Sequence, residues 1–297
     1  MINHNRIFND ENEMNEFVLS CEDNYKKQVI DTAKRIADDS TVKFVMLCGP
    51  SCSGKTTTAS ILFNELSEYG KQANVVSIDD FYRNRIKDEE KPDFETAAAI
   101  DLDYFGKCVD GLISGREVQL PIFDFNTESR SGYRAHKLTE NEIIVFEGIQ
   151  ALYPEILAHI PKESMKTIYI SVFDDIMGYG EYFSARDIRF VRRLVRDYKF
   201  RSSSASRTID LWTDVVANEE KSIIPAGKNA DFRINSLMLY EINVMRPYIL
   251  HKVAFDLVNP EEFDIYKGFM DKYLRIPEIP SKFVPSDSVF REFIGKE

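Results

Sequence analysis

Nowhere in the 297 residues do about 18 apolar side chains run together, the length a membrane-spanning helix needs, so no such span is expected. Positive charge is scarce too: 38 Lys and Arg stand against 49 Asp and Glu, a net −11 at pH 7. That balance argues against nucleic acid or an anionic membrane as the main partner, and any basic site has to be local. Cysteine is sparse. Cys21, Cys48, Cys52 and Cys108 form no CxxC pair, which disfavours zinc and disulfides and reads as reduced thiols in a cytosolic protein. The four histidines are scattered, so a histidine metal site is not expected, and the one tryptophan, Trp212, reads as a packing residue. The polar start MINHNRIFNDENEMNE lacks the apolar stretch of a signal peptide. A soluble, cytoplasmic protein with one large core and extensions is the expectation.

What is present is alternation. KFVMLC (43–48), NVVSI (74–78), EIIVFE (142–147), TIYISVF (167–173) and DFRIN (231–235) read as strands separated by helix-length segments, the pattern of βαβ units and a mostly parallel sheet. VQLPIFDF (118–125) reads as an outlying strand, placed at an edge by Pro121. Residues 1–20 read as loosely ordered, and 22–38 as a leading amphipathic helix on Tyr25, Val29, Ala33 and Ile36. Four of the eleven prolines fall from 260 onward, in a tail expected to wrap the surface. The division expected is an N-terminal extension (1–40), a nucleotide-handling domain (41–258) and a C-terminal extension (259–297) that packs on it.

Residues 49–56, GPSCSGKT, fit G-x-x-x-x-G-K-[ST], with a strand before and an amphipathic helix after. Gly49, Ser51, Ser53, Gly54, Lys55, Thr56 and Thr57 are the expected phosphate cradle: glycines let backbone amides point at phosphate oxygens, and the helix adds its positive end. Lys55 would reach the outer phosphates, and the Thr56 hydroxyl would ligate Mg²⁺. In an open parallel sheet, acidic partners belong at strand carboxyl ends. SIDDFY supplies Asp79 and Asp80 there, and VFEG supplies Glu147. Such carboxylates hold Mg²⁺ or its waters, or accept a proton from an attacking hydroxyl. Residues 186–201, RDIRFVRRLVRDYKFR, reverse the local charge, and Arg189, Arg192, Arg193 and Arg196 share one helical face. They read as a lid over roughly 183–210 that brings arginine to a transferring phosphoryl group, with SSSASR (202–207) as its mobile tip.

Taken in order, GPSCSGKTTT, SIDDFY, LPIFDFNTESRSGY, IIVFEGIQALY, RRLVRDYKFR and NADFRIN resemble the uridine kinase and phosphoribulokinase group of P-loop kinases. DFETAAAIDLDYF, EEKSIIPAGKNADFRINSLMLYEI and the closing PSDSVFREFIG are similar to a subgroup often fused behind a threonyl-tRNA-synthetase-like module. Residues 1–40 are too short to be that module, so the chain would be the kinase half alone. The resemblance implies a five-stranded parallel P-loop sheet with an arginine-rich lid, ATP as donor and Mg²⁺. It places the general base on Asp79 and a metal-associated carboxylate on Glu147. Phosphate-contacting arginines fall on Arg196 and Arg201, and Arg193 is directed toward the nucleoside. Glu95, Phe123 and Glu128 fall around the acceptor; apart from the resemblance, Tyr82 reads either as a further lining residue of the acceptor pocket or as a core aromatic. Phe123, Glu128 and Glu95 differ from the family's tyrosine, histidine and aspartate, which removes base-recognising hydrogen bonds.

The expected function is ATP- and Mg²⁺-dependent phosphorylation of a hydroxyl on a small molecule, a nucleoside by family default. A nucleotide-binding regulatory module and a sugar or sugar-phosphate kinase stand as alternatives. A GTPase is disfavoured because the D-x-x-G of DDIMG recurs as DYFG and no N-K-x-D follows, and no LSGGQ-like stretch supports an ABC ATPase. A homo-oligomer is compatible with the sequence.

Overall fold

The computed structural model describes residues 1–84, 94–253 and 260–295. In chain order its elements are β1 (Ile2–Asn3), α1 (Glu11–Ala37), β2 (Phe44–Cys48), α2 (Lys55–Glu68), β3 (Gln72–Ser77), α3 (Leu102–Ile113), β4 (Val118–Asp124), β5 (Ser129–His136) and β6 (Glu142–Glu147). There follow α4 (Pro154–Leu157), β7 (Met165–Ser171), β8 (Ile176–Gly178), β9 (Glu181–Phe183), α5 (Ala185–Phe200), α6 (Ala205–Asn218), α7 (Ile224–Gly227), β10 (Phe232–Asn235), α8 (Glu241–Pro247), α9 (Pro260–Tyr273) and α10 (Arg291–Ile294).

The central sheet has five strands in the order β10-β7-β2-β6-β3, every pairing parallel. Its middle strand β2, FVMLC, is apolar and buried throughout because both faces are covered. The two-residue period of β2 sends Val45 and Leu47 to the core beneath α1 and α2, and Phe44, Met46 and Cys48 to the core beneath α3. β6 does the same with Ile143 and Val145 against Ile144 and Phe146. The middle strand β2 therefore delivers the residues after Cys48 to the sheet's carboxyl edge, with the ends of β6 and β3 alongside.

Three segments depart from the sequence expectations. The leading helix begins at Glu11, where Asp10 accepts from the Glu13 amide and Glu13 accepts from the Asn9 amide. Phe17, Val18 and Cys21 continue the buried stripe of Tyr25 and Val29 through polar neighbours, and β1 pairs in parallel with β8. The outlying strand β4 has an antiparallel partner, β5, whose residues SRSGYRAH are too polar for a strand signal. The tail after 260 buries Tyr266, Tyr273, Ile276, Ile279, Phe290 and Phe293 in the same core as α1 and α5. The boundary expected at 258–259, and Asp93 of the DFETAAAIDLDYF stretch, lie outside the described residues. Among the described residues no helix is long and apolar enough to cross a membrane.

Candidate active site

The loop after β2 closes onto α2 at Gly54, whose φ of +87° lies in the left-handed region. The ordering of this turn begins one layer below. The Thr58 hydroxyl donates to the Gly54 carbonyl at 2.6 Å, and the Tyr25 hydroxyl of α1 lies 2.6 Å from Thr58 Oγ1. Gly49 and Gly54 are both spatially required. A Cβ at Gly49 would stand 2.2 Å from the Ile170 carbonyl oxygen, and one at Gly54 would stand 2.4 Å from Val289 Cγ2. Gly54→Ala is therefore expected to lose nucleotide binding and to lower the melting temperature, at about 1–2 kcal/mol from the φ alone. Adding Val289→Ala should recover part of the melting temperature and none of the binding. Full recovery of both would mean that only the clash mattered.

Two buried arginines of α5 hold the outer side of the loop. Arg192, fully buried, pairs with Glu241 through Nε and Nη2 at 2.6 and 2.8 Å, while its Nη1 donates to the Cys52 carbonyl at 3.1 Å. Arg189 pairs bidentately with buried Glu219, both contacts 2.6 Å, and Nη1 also donates to the Ser51 carbonyl at 3.3 Å. With those two carbonyls held toward α5, the loop's amides are left for the cavity side. Cys52 lies at φ +59°, and burial raises its thiol, as it pushes Cys48 up to about 12. Both are packed, protonated thiols.

The carboxylates come from the neighbouring strand ends. Ser77 caps the turn after β3 by accepting from the Asp79 amide at 3.3 Å, which sets Asp79 and Asp80 apart. Asp80 turns toward the hairpin and accepts from the Phe123 amide at 3.1 Å. Asp79 faces the cavity, and its Oδ1 is buried with no hydrogen-bond partner among the described residues. Burial raises the Asp79 carboxyl, offset in part by the neighbouring Tyr82 hydroxyl and by Lys55. Burial likewise raises Glu147 at the end of β6; Lys55 again opposes the shift and Asp79 adds to it. Two desolvated carboxyls beside the exposed Thr56 hydroxyl, one with an orphan oxygen, make an oxygen donor set that fits Mg²⁺.

Together these groups line a cavity of about 590 Å³. Of the residues expected from sequence, it brings together Ser51, Gly54, Lys55, Thr56, Asp79, Glu95, Glu147, Arg193, Arg196 and Arg201. Lys55 Nζ donates to the Pro50 carbonyl at 3.1 Å, and the Glu95 carboxylate accepts from Asn218 at 2.6 Å. Gly49 and Ser53 lie beneath the loop, and Thr57 faces the C-terminal tail. Tyr82 and Phe123 are buried behind the wall in an aromatic group with Phe94 and Phe125, of which Phe125 reaches the cavity. Glu128 sits in the β4–β5 turn at φ +49°, away from the cavity lining. The arginine-rich segment is itself firmly packed: Val191, Leu194 and Val195 of α5 are buried, while Arg193, Arg196 and Arg201 reach the cavity. Arg207, at the expected tip, is exposed on α6.

Sequence reasoning did not find Glu292, which enters the cavity from α10, nor Phe125 and Asn218. A glutamate and an arginine inside the otherwise apolar VFREFIG segment were the available signal. The sequence profile of the Phosphoribulokinase / Uridine kinase family matches residues 44–243. The chain is 29% identical over 221 residues to "Uridine-cytidine kinase A" of Dictyostelium discoideum, covering 73% of this chain and 41% of that protein. It is 31% identical over 166 residues to "Uridine kinase" of Schizosaccharomyces pombe, covering 54% and 33%. With "Uridine kinase" of Deinococcus deserti it shares 27% identity over 190 residues, covering 62% and 83%. The chain thus spans less than half the length of the first two.

Proposed function

The chain belongs to the Phosphoribulokinase / Uridine kinase family, and from that premise we propose that it is a kinase carrying the γ-phosphoryl group of ATP, with Mg²⁺, to a hydroxyl of a nucleoside. The observation that carries this reading is the single cavity in which Lys55, Thr56, Asp79, Glu147 and three arginines meet. In the proposed mechanism the loop from Gly49 to Thr57, with Ser51 and Ser53, cradles the phosphates. Lys55, Arg196 and Arg201 stabilise the charge of the transferring group. Asp79 orients the acceptor hydroxyl and takes its proton. Thr56, Asp79 and Glu147 would hold Mg²⁺, which supplies charge neutralisation at the phosphates when bound.

The acceptor end supports a neutral substrate with an aromatic face. Its described lining there is Asp79, Glu95, Phe125 and Ile149, with Arg193 toward the loop. A phosphorylated sugar would bring a dianion beside two carboxylates, so the sugar-phosphate reading is the weaker one. Glu95 and Arg193 are proposed to contact the acceptor, with Tyr82, Phe123 and Glu128 shaping the wall and turn around it. Since several relatives are named as uridine or cytidine kinases, pyrimidine nucleosides are the first acceptors to offer. We also place the chain in the cytoplasm and in the subgroup often fused to a threonyl-tRNA-synthetase-like module. In support, the stretches similar to that subgroup supply Glu219, Ser236, Glu241 and Glu292 around the loop.

The test is acceptor-dependent ADP release from Mg-ATP across nucleosides, sugars and sugar phosphates, with product identified by mass. Phosphorylation of a nucleoside at higher kcat/KM than any sugar phosphate is expected. Tight ATP binding with no acceptor-stimulated turnover across the panel would instead make the chain a nucleotide-binding module.

A further inference from the structure

The C-terminal tail reaches the cradle from outside the family-matched region, which ends at residue 243. Its placement there is fixed by packing. Val289, Phe290, Phe293 and Ile294 are buried, and Val289 lies against Gly54 of the loop. The Ser288 hydroxyl donates to buried Glu22 of α1 at 2.5 Å, and the Arg291 guanidinium holds the Ser281 and Val284 carbonyls at 3.0 and 2.6 Å. This scaffold presents Glu292 to the first turn of α2. There the Thr57 hydroxyl donates to its Oε2 at 3.1 Å, and among the described residues Oε1 takes no hydrogen bond.

A second cavity of about 460 Å³ opens beyond Thr57, bounded by Ser60 of α2 on one side and residues 286–292 on the other. It shares Thr56, Arg196, Arg201 and Glu292 with the phosphate cavity. The two spaces therefore adjoin beside the loop, and Glu292 lines both. A nucleoside triphosphate with its outer phosphates at Lys55 has its sugar and base still to house. A carboxylate is a poor neighbour for phosphate oxygens and a good acceptor for sugar hydroxyls. The Arg196 and Arg201 guanidiniums, which also line both, offset its charge.

We propose that the C-terminal tail builds the nucleoside half of the donor site, with Glu292 accepting hydrogen bonds from the ribose hydroxyls of the donor nucleotide. This rests on the kinase reading and deepens it, because it assigns recognition of the donor sugar to residues that the family match does not include.

The experiment measures binding of Mg-ATP, Mg-2′-deoxy-ATP, Mg-3′-deoxy-ATP and Mg-tripolyphosphate to the full chain and to Glu292→Gln and Glu292→Ala by calorimetry. Wild type should bind ATP roughly tenfold or more tightly than at least one deoxy analogue, the worth of a hydroxyl bonded to a carboxylate. Glu292→Gln and Glu292→Ala should abolish that preference and leave tripolyphosphate within about twofold, which also reports an intact cradle. Wild-type binding of ATP with no preference for either hydroxyl overturns the proposal and leaves the kinase reading standing. An equal loss of tripolyphosphate in the variants, or tighter ATP binding by them, also overturns it, the latter by showing that the carboxylate obstructs the donor. No Mg-ATP binding by wild type removes both readings.

Discussion

Asp79→Asn is expected to cut acceptor phosphorylation by roughly 10²–10⁴-fold, the usual worth of a positioned general base, while Mg-ATP still binds and the ligand-free protein melts higher. The two halves of this expectation share one cause. Asp79 is buried, its Oδ1 has no hydrogen-bond partner among the described residues, and burial is the main reason its carboxyl is raised. An ionised, buried carboxylate with one oxygen unpaired is costly in the folded chain and harmless in the unfolded one. A folded-state value above the unfolded one contributes stability that is fully present below the unfolded value and lost as pH rises through the folded value. The gap in melting temperature between Asp79→Asn and wild type should therefore open above the usual aspartate range and close in acid. Activity should run the opposite way, because the proposed base works only when ionised. The acidic limb of kcat/KM should lie above the ordinary carboxylate range and vanish from the variant's residual rate. Unchanged turnover in Asp79→Asn would exclude Asp79 as the base, and a lower melting temperature in the variant would mean the charge is compensated.

The parts of this site that could be read from sequence are those where one short stretch holds both the motif and its context. GPSCSGKT followed a strand and preceded a helix, so the loop, the sheet edge and the carboxylates at two strand ends could all be placed. Between Asp79 and Asp80 nothing local decides. The choice depends on which carboxyl meets the Phe123 amide, a contact 43 residues away in sequence. Arg189 and Arg192 share a helical face with Arg193 and Arg196, and periodicity alone gave all four the same part. The structure divides them by partner: Arg189 and Arg192 are neutralised by Glu219 and Glu241, far away in sequence, whereas Arg193 and Arg196 pair with Asp197 of the same helix and line the cavity, and no local pattern could show the distant glutamates. The tail fails for the same reason. Residues 285–295 are short, mixed in polarity and far in sequence from the loop they cover, and only tertiary packing brings Glu292 to Thr57.

The buried Arg192–Glu241 pair gives the second large effect. Arg192→Ala leaves Glu241 charged and without its guanidinium in the core, which is expected to cost about 3–5 kcal/mol of stability. It also removes the donor on the Cys52 carbonyl and the contacts to the Ser236 hydroxyl and carbonyl at 3.2 and 2.7 Å. Loss of fold and loss of loop position are confounded in that single variant. The double variant Arg192→Met, Glu241→Gln separates them. Without a buried charge and with similar volume it should recover most of the melting temperature, since apolar or neutral replacements of buried pairs are often tolerated. The glutamine oxygen can still accept from the Met238 amide, which Glu241 now binds at 3.0 Å. Neither new side chain can reach the Cys52 carbonyl with a charged donor, so the cradle loses one of its two outer anchors. Mg-ATP affinity is then expected to fall by about tenfold or more, the worth of a hydrogen bond to a charged group, in a protein that folds normally. A double variant with wild-type stability and wild-type ATP affinity would make Arg192 a core residue and nothing more. A stable double variant with weakened binding would show that the arginine helix holds the loop in shape through its buried face, a separate task from the one proposed for Arg196 and Arg201.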